Sequence, residues 1–563
     1  MQSLPTPRTV RARGRLAAAA ALAVLAFGAG GLTAHRAEGA APRNVIFILT
    51  DDMPSSELAG MPNVMSEIAA QGTTFNRAYI SFPLCCPSRA TMMSGQYMHN
   101  HGVHGNFPPN GSWLKFRPHE SNDLPVWLHD DGYYNVHIGK YMNAYGGYGT
   151  LNESTLPVPA EWDEWYGKVS EDALYFNYQL IEKTAANPTP RITFYGDQPL
   201  DYQTDVFSDR AVDFVRDHTA SQEPFLLDLW FNSPHGPFDP APRDRFRLAG
   251  APLPKLPAFN EKDIQDKPKW LQRQAGRRLN RAQIKLIDNE RRRQQEQLFS
   301  VDESVGELID ELRAKGILDD TYIVFASDNG FFRGEHRIAS GKYLPYDPAS
   351  RVPLLIRGPG IPAGSFSDEL VWNGDITQTI LQIAGGTEDS SLDGRSLLPY
   401  GENPALRSTR PILLEGDTGP GGTGAESAQK SAARAREARV GVLGKRGVKN
   451  LDQEPDAIKS ATNTNKAPAY RSIRTDRYEY TIYANGQTEL YDMLRDPSQL
   501  RSLWKDPRYR YVRKWLYNSL IPLSTCTGAA CRVELGPDPP PLPKSAVRPK
   551  RKKKPGTKVP VGQ

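Results

Sequence analysis

Cysteine is scarce: four among 563 residues, enough for two disulfides at most. Beyond residue 34 no stretch approaches the roughly 18 consecutive apolar residues that cross a bilayer, which excludes a polytopic membrane protein. No internal repeat is present. A composition 39% hydrophobic and 24% charged is that of a soluble globular chain, neither collagen nor coiled coil. Net charge is small, +5 from 69 basic and 64 acidic residues. Even that excess sits at the ends: Arg8, Arg11, Arg13, Arg15 and Arg36 meet only Glu38, and residues 541–563 hold eight Lys or Arg and no acid. The body between them is mildly acidic, which argues against a nucleic-acid-binding domain.

The start of the chain has the pattern of a secretory signal peptide, expected over residues 1–39. Arginines from Arg8 to Arg15 precede an apolar stretch from Leu16 to Ala34, and small residues follow at Ala37, Gly39, Ala40 and Ala41. The expected location is therefore secreted or extracytoplasmic, where cysteines pair. Cys526 and Cys531 are close enough to bridge, whereas a bond between the neighbours Cys85 and Cys86 would be strained.

Several continuous apolar runs have the length of strands buried on both faces, as a parallel sheet covered by helices requires. Asn44–Thr50 leads into Asp51 and Asp52, Tyr134–Gly139 into Lys140, Phe225–Phe231 into Asn232 to His235, and Tyr322–Ser327 into Asp328 and Asn329. Helical patterns lie between them: Phe207 to Val215 after a possible Thr204 cap, and Val301 to Leu312 stopped by Gly316. Alternation of strand and helix makes the class α/β, with a large, mostly parallel sheet sandwiched by helices. In such sheets ligands bind beyond the carboxyl ends of the strands, so these polar residues are expected around one crevice.

The expected catalytic domain spans residues 40–400. A smaller antiparallel subdomain follows over 401–535, with strands in Tyr470–Tyr483 and a helix near Tyr509–Leu520, interrupted by a flexible insertion near 416–467. Residues 536–563, rich in proline and ending in the basic run Lys550–Lys554, are expected to be disordered and to contact polyanions or an envelope surface.

Asp51, Asp52, Asp328 and Asn329 offer only oxygen, which suits Ca2+ or Mg2+ better than zinc. Either pair alone could equally be a helix cap or a solvated turn. Cys85 opens the run Cys85, Cys86, Pro87, Ser88, Arg89, with Pro87 suited to the first turn of a helix. By composition alone this suggests a cysteine hydrolase, but Ca2+ has little use for thiolate sulfur.

That run, followed by Ser94 and Gly95, resembles the C-x-P-S-R signature of the sulfatases, and the TDD at Thr50–Asp52 and SDNG at Ser327–Gly330 resemble the same family. The resemblance covers roughly residues 42–400. It implies an alkaline-phosphatase-like fold and conversion of Cys85 to formylglycine by a maturation enzyme. It also implies a Ca2+, in preference to Mg2+, held by Asp51, Asp52, Cys85 as formylglycine, Asp328 and Asn329. By the same resemblance one hydroxyl of the hydrated aldehyde attacks sulfur, Arg89 steadies that diol, and Asp328 assists. Lys140, His235 and Lys342 match sulfate-binding positions, with His235 placed to protonate the leaving alcohol. His336 either lines the pocket or is structural. Met142 and Gln96 depart from the family pattern where a histidine and a basic residue are usual. Met142 with Tyr141 and Asn143, the pair Cys85 and Cys86, Tyr175–Tyr178 and the closing Cys526–Arg532 resemble the N-acetylglucosamine-6-sulfatase branch. A 6-sulfated N-acetylglucosamine of a glycosaminoglycan would then be the substrate. The alternatives are a phosphonate or phosphate ester hydrolase on the same cage, or a non-catalytic secreted polyanion-binding protein.

Overall fold

The computed structural model describes residues 43–147, 151–169, 175–218, 223–417 and 467–543. The expected leader, nearly all of the insertion and the basic end of the tail lie outside them. Ten strands form one sheet: β1 (Asn44–Thr50), β2 (Thr73–Tyr79), β3 (Tyr134–Gly139), β4 (Glu164–Lys168), β5 (Tyr178–Lys183), β6 (Arg191–Tyr195), β7 (Phe225–Trp230), β8 (Thr321–Ser327), β9 (Leu354–Arg357) and β10 (Ser365–Trp372). From edge to edge they run β10-β2-β9-β8-β1-β7-β3-β4-β5-β6. The central run from β8 to β4 is entirely parallel, while β9, β5 and β6 are antiparallel to their neighbours. The expected mixed, mostly parallel sheet is observed.

The pleat divides each buried strand between two cores, because successive side chains point to opposite faces. In β1, Val45, Phe47 and Leu49 enter one cluster with Ala90, Met92 and Met93 of α1 (Cys85–Ser94). Ile46 and Ile48 enter the other with Phe207, Ala211 and Val215 of α2 (Gln203–Asp217) and Val301, Val305 and Leu308 of α3 (Arg281–Ala314). A strand apolar on every residue is thus what a sheet clad on both sides needs. Thr204 does not cap α2: it lies inside the helix and its hydroxyl shares a hydrogen bond with that of Ser233 at 2.9 Å. The helix marked by Val301 to Leu312 is 34 residues long. Its polar first half carries little apolar period and is instead fixed by Asn280, whose side chain accepts from the Gln283 amide at 3.0 Å while Gln283 accepts in return.

A second, antiparallel sheet comprises β11 (Ile412–Gly416), β12 (Tyr470–Arg474), β13 (Tyr478–Tyr483) and β14 (Thr488–Asp492) in that order. The alternation expected over Tyr470–Tyr483 resolves into two strands around a turn at Thr475–Arg477. This sheet shares a core with the large one: Tyr97 stacks on Trp372, centroids 3.8 Å apart, beside Ile412, Leu413 and Leu414. A helix, α4 (Arg510–Leu523), completes it, and Cys526 is bonded to Cys531 as expected. The segment expected to be disordered from residue 536 starts as ordered chain: Tyr478 Oη donates to Pro539 O at 2.9 Å and Asp538 accepts from Thr475 Oγ1 at 2.9 Å. Both bonds satisfy polar groups at the rim of the small sheet, which is why the chain stays down there.

Candidate active site

Four neighbouring parallel strands, β8, β1, β7 and β3, end on the same edge of the sheet, and each delivers polar residues there. The Asp51 amide donates to Ser233 O at 3.1 Å and the Asp328 amide to Thr50 O at 3.0 Å, tying three of these strand ends together. Asp52 follows with φ 65°, a left-handed turn that aims two successive carboxylates at one point. At the end of β3, Gly139 has φ 118°, and a Cβ there would stand 2.0 Å from Trp230 O. Only glycine fits the bend that presents Lys140. Gly139→Ala is therefore expected to destabilise the chain by more than ~1 kcal/mol and to lower activity through displacement of Lys140. A lower urea midpoint together with slower turnover would show this; an unchanged midpoint would remove the argument.

Cys85 is the first residue of α1, with Pro87 in the first turn where no intrahelical amide bond is lost. Its Sγ lies 3.6 Å from Asp51 Oδ1 and accepts from Lys342 Nζ at 2.9 Å. Lys342 also bonds Asp52, and Lys140 bonds Asp51. One turn along α1, Arg89 donates through Nε to Asp328 Oδ2 at 2.9 Å and through Nη1 to Lys140 O, and its Nη2 is 3.6 Å from Asp51. The guanidinium lies over Trp230, 5.3 Å from the ring centre. Asn329 donates to Asp52, and Asp52 N donates to Asp328 Oδ1 at 3.2 Å. Three buried carboxylates thus face three buried cations.

His235 approaches from the β7 end, with Nε2 3.7 Å from Asp52 Oδ2 and Nδ1 2.5 Å from Gly236 O. Its side chain is 28% exposed, against 9% or less for the other charged groups of the cluster. It therefore stands at the mouth. Tyr175 Oη donates to His235 O at 2.6 Å and holds that backbone in place; its type and position in Tyr175–Tyr178 did not disclose this role, and neither did Trp230 reveal its place under Arg89.

Like charge separates the carboxylates electrostatically. Burial would raise Asp51, but Lys140, His235, Arg89 and Lys342 together hold it far below the usual carboxylate range. Burial and the charge of Asp51 push Asp328 the other way. Burial, reinforced by Asp51, pushes the Cys85 thiol up to about 11, so at neutral pH it is an uncharged thiol. That disfavours a cysteine hydrolase, which needs the thiolate. Burial lowers His235 and keeps its imidazole neutral at pH 7.

Ligand atoms of Asp51, Asp52 and Asp328 lie within 4.8 Å of one another, as do those of Asp51, Cys85 and His235. The first trio, all oxygen and all buried, with Asn329 adjoining, fits a hard cation. His336 is not brought to this cluster. It is fully buried, its Nδ1 2.7 Å from Glu261 Oε2 and its ring against Tyr346, which favours the structural alternative over the substrate-lining one. The chain turns away from the cage at Gly334, φ 104°, which carries His336 with it. Asn143, beside the absent family histidine, gives its amide to Cys86 Sγ at 3.2 Å.

A family model described as Sulfatase matches residues 43–386. The chain belongs to the sulfatase family. This sulfatase is 31% identical over 521 residues to the N-acetylglucosamine-6-sulfatase of Capra hircus, covering 89% of this chain and 87% of that one. It is 32% identical over 383 residues to the extracellular sulfatase SULF-1 homolog of Drosophila melanogaster, 66% of this chain but only a third (33%) of that one. Its fold resembles that of BT4656, solved with its substrate D-glucosamine-2-N,6-O-disulfate, at TM-score 0.62 and 22% identity over 85% of this chain and 97% of the other. As a sulfatase it is an enzyme that hydrolyses sulfate esters.

Proposed function

We propose that this sulfatase removes the 6-sulfate of N-acetylglucosamine from a glycosaminoglycan or related sulfated sugar outside the cytoplasm, after a maturation enzyme converts Cys85 to formylglycine. The observation that carries the reading is Cys85 Sγ at a helix start, 3.6 Å from the Asp51 carboxylate and 2.9 Å from Lys342 Nζ, within the acid cluster. The hydrate of the converted side chain would supply the attacking hydroxyl. Ca2+ held by Asp51, Asp52, Asp328, Asn329 and the converted residue would supply charge that polarises the sulfate oxygens. Arg89 fixes Asp328 and braces the start of α1. Lys140 and Lys342 bring ammonium groups to the space where a sulfate would sit and offset its charge. Neutral His235, at the mouth, would accept the proton that the attacking hydroxyl gives up and pass it to the leaving alcohol.

The substrate class is supported by the goat N-acetylglucosamine-6-sulfatase and by the disulfated glucosamine that BT4656 holds. The secretory pattern of residues 1–39 and the extracellular fly relative support the location. Among the described residues no helix is long and apolar enough to cross a membrane. The basic end of the tail, Lys544–Gln563, is read as a polyanion contact. The fold is shared with a phosphonate monoester hydrolase of Agrobacterium radiobacter, TM-score 0.60 at 19% identity, so the preference for sulfate rests on the sequence family rather than on the fold. Mass spectrometry of the tryptic peptide Ala78–Arg89 from protein secreted by its own host is expected to show an aldehyde or its hydrate at Cys85. A free thiol in every copy would refute the proposed nucleophile.

A further inference from the structure

The body of the chain is mildly acidic, yet residues 262–293 carry eleven Lys or Arg against four acids. Lys262, Arg273, Arg277, Arg278, Arg281 and Lys285 are all exposed. Of the segment's acids, Asp266 lies 3.5 Å from Lys267 within the segment and Asp288 pairs with Lys255 outside it. Arg281 and Lys285, four apart at the start of α3, share one helix face. Arg277 and Arg278 sit just before its capping residue, and Arg273 lies in the last turn of the helix Lys269–Ala275. Among the described residues Arg273, Arg277, Arg278, Arg281 and Lys285 form no ion pair within 4.0 Å, and like charges so gathered repel one another in the free protein, a repulsion that a polyanion relieves.

The surface is mechanically joined to the active site. From Asn329 the chain leaves the acid cluster and returns to it at Lys342; Phe332 N donates to Gly341 O at 2.8 Å and Gly334 N to Ile338 O at 2.7 Å, closing the excursion into a narrow loop. The tip of that loop grips the basic segment: Arg337 Nη1 donates to Gly276 O at 2.9 Å, its Nη2 to Lys262 O at 2.7 Å and its Nε to Glu261 O at 2.8 Å. Lys342 is five positions beyond Arg337, so their Cα atoms lie no more than about 18 Å apart. An oligosaccharide is long enough to span such a distance. Trp270 is the one aromatic residue of the segment and it is buried, so the surface offers no ring on which bases could stack and no apolar wedge for a membrane.

We propose that this basic face is a second binding surface for the polyanionic chain of a sulfated polysaccharide, engaging sugars beyond the one whose sulfate enters the acid cluster. The inference rests on the substrate class proposed above.

The test is the full-length chain carrying Arg273→Glu, Arg277→Glu, Arg281→Glu and Lys285→Glu together. All four are exposed, and glutamate at the start of α3 favours the helix dipole, so the fold should persist. Hydrolysis of a small aryl sulfate is expected to stay within about twofold of wild type, reporting an intact active site. For a 6-sulfated heparin-derived oligosaccharide, KM is expected to rise about tenfold or more with kcat little changed, and the dependence of affinity on salt to weaken. Equal oligosaccharide KM in the two proteins would overturn the proposal. If the wild-type chain hydrolyses no sulfated sugar, the substrate reading fails by itself while binding of the heparin oligosaccharide still decides the surface: weaker binding by the variant supports it and equal binding overturns it. A larger loss of affinity for single-stranded DNA or phosphatidylserine vesicles than for heparin would overturn it as well.

Discussion

Asp328→Asn is expected to abolish turnover, by at least about 10^3-fold, in a chain that folds normally. The carboxylate has three duties that chemistry separates. Its Oδ2 accepts from Arg89 Nε at 2.9 Å, its Oδ1 accepts from the Asp52 amide at 3.2 Å, and the carboxylate gives one oxygen to the trio that can hold a cation. Asparagine keeps one carbonyl oxygen and the shape, so one of the two hydrogen bonds survives and the strand end stays closed. It loses the negative charge on which a hard cation depends. Asp328→Ala removes the acceptors as well and leaves the buried guanidinium of Arg89 with Asp51 at 3.6 Å as its nearest carboxylate. Stripping one partner from a buried pair costs about 3–5 kcal/mol, so the alanine variant should melt early while the asparagine variant melts close to wild type. Sulfate release and thermal midpoints measured on both proteins separate chemistry from stability. Asparagine turnover within about tenfold of wild type would show that Asp328 is a scaffold residue, and the assigned site would be wrong.

The central strands of the fold could be read from sequence because their environment leaves a plain mark. β1, β3, β7 and β8 are covered on both faces, so each is an unbroken apolar run, and each stops where polar residues begin. The sheet order is different in kind: nothing in the run Leu354–Arg357 shows that β9 inserts antiparallel between β2 and β8. Half of α3 was equally hidden, since most of what it buries there is polar, Arg291, Gln294, Glu296 and Gln297, and leaves no apolar stripe. The site divided along the same line. Asp51, Asp52, Lys140, His235, Asp328 and Asn329 follow strand ends and were legible as residues of one crevice. Lys342 reaches the cluster from irregular chain and could be named only by resemblance. His336 was left open between the pocket and a structural role because closeness in sequence to Asp328 and Asn329 does not register the left-handed turn at Gly334 that precedes it. The basic face at 262–293 escaped notice because a net charge taken over the whole body averages it away.

Cys85→Ala is expected to remove turnover on the order of 10^4-fold or more, and Cys86→Ala to leave it nearly intact. The two residues are neighbours of the same type, both fully buried, and differ by one step of about 100° around α1. That step is decisive. Cys85 Sγ faces Asp51 and Lys342, whereas Cys86 Sγ accepts from the Asn143 amide at 3.2 Å and its backbone amide donates to Asn106 Oδ1 at 2.9 Å. Truncating Cys86 therefore deletes one sulfur and one weak bond beside the core, about 1 kcal/mol of stability, with the acid cluster untouched. Truncating Cys85 leaves Lys342 bonded to Asp52 and Arg89 bonded to Asp328, so the fold and the cation site persist without a reacting group. Initial rates on a sulfate ester, taken beside a binding isotherm for Ca2+ on each variant, check both halves of the expectation. Equal losses from the two alanines would mean that the sulfur pair acts through packing alone, and the nucleophile would have to be sought elsewhere in the cluster. A loss confined to Cys85, with Ca2+ affinity reduced by no more than one ligand oxygen's share, would tie the chemistry to the side chain that α1 turns toward Asp51.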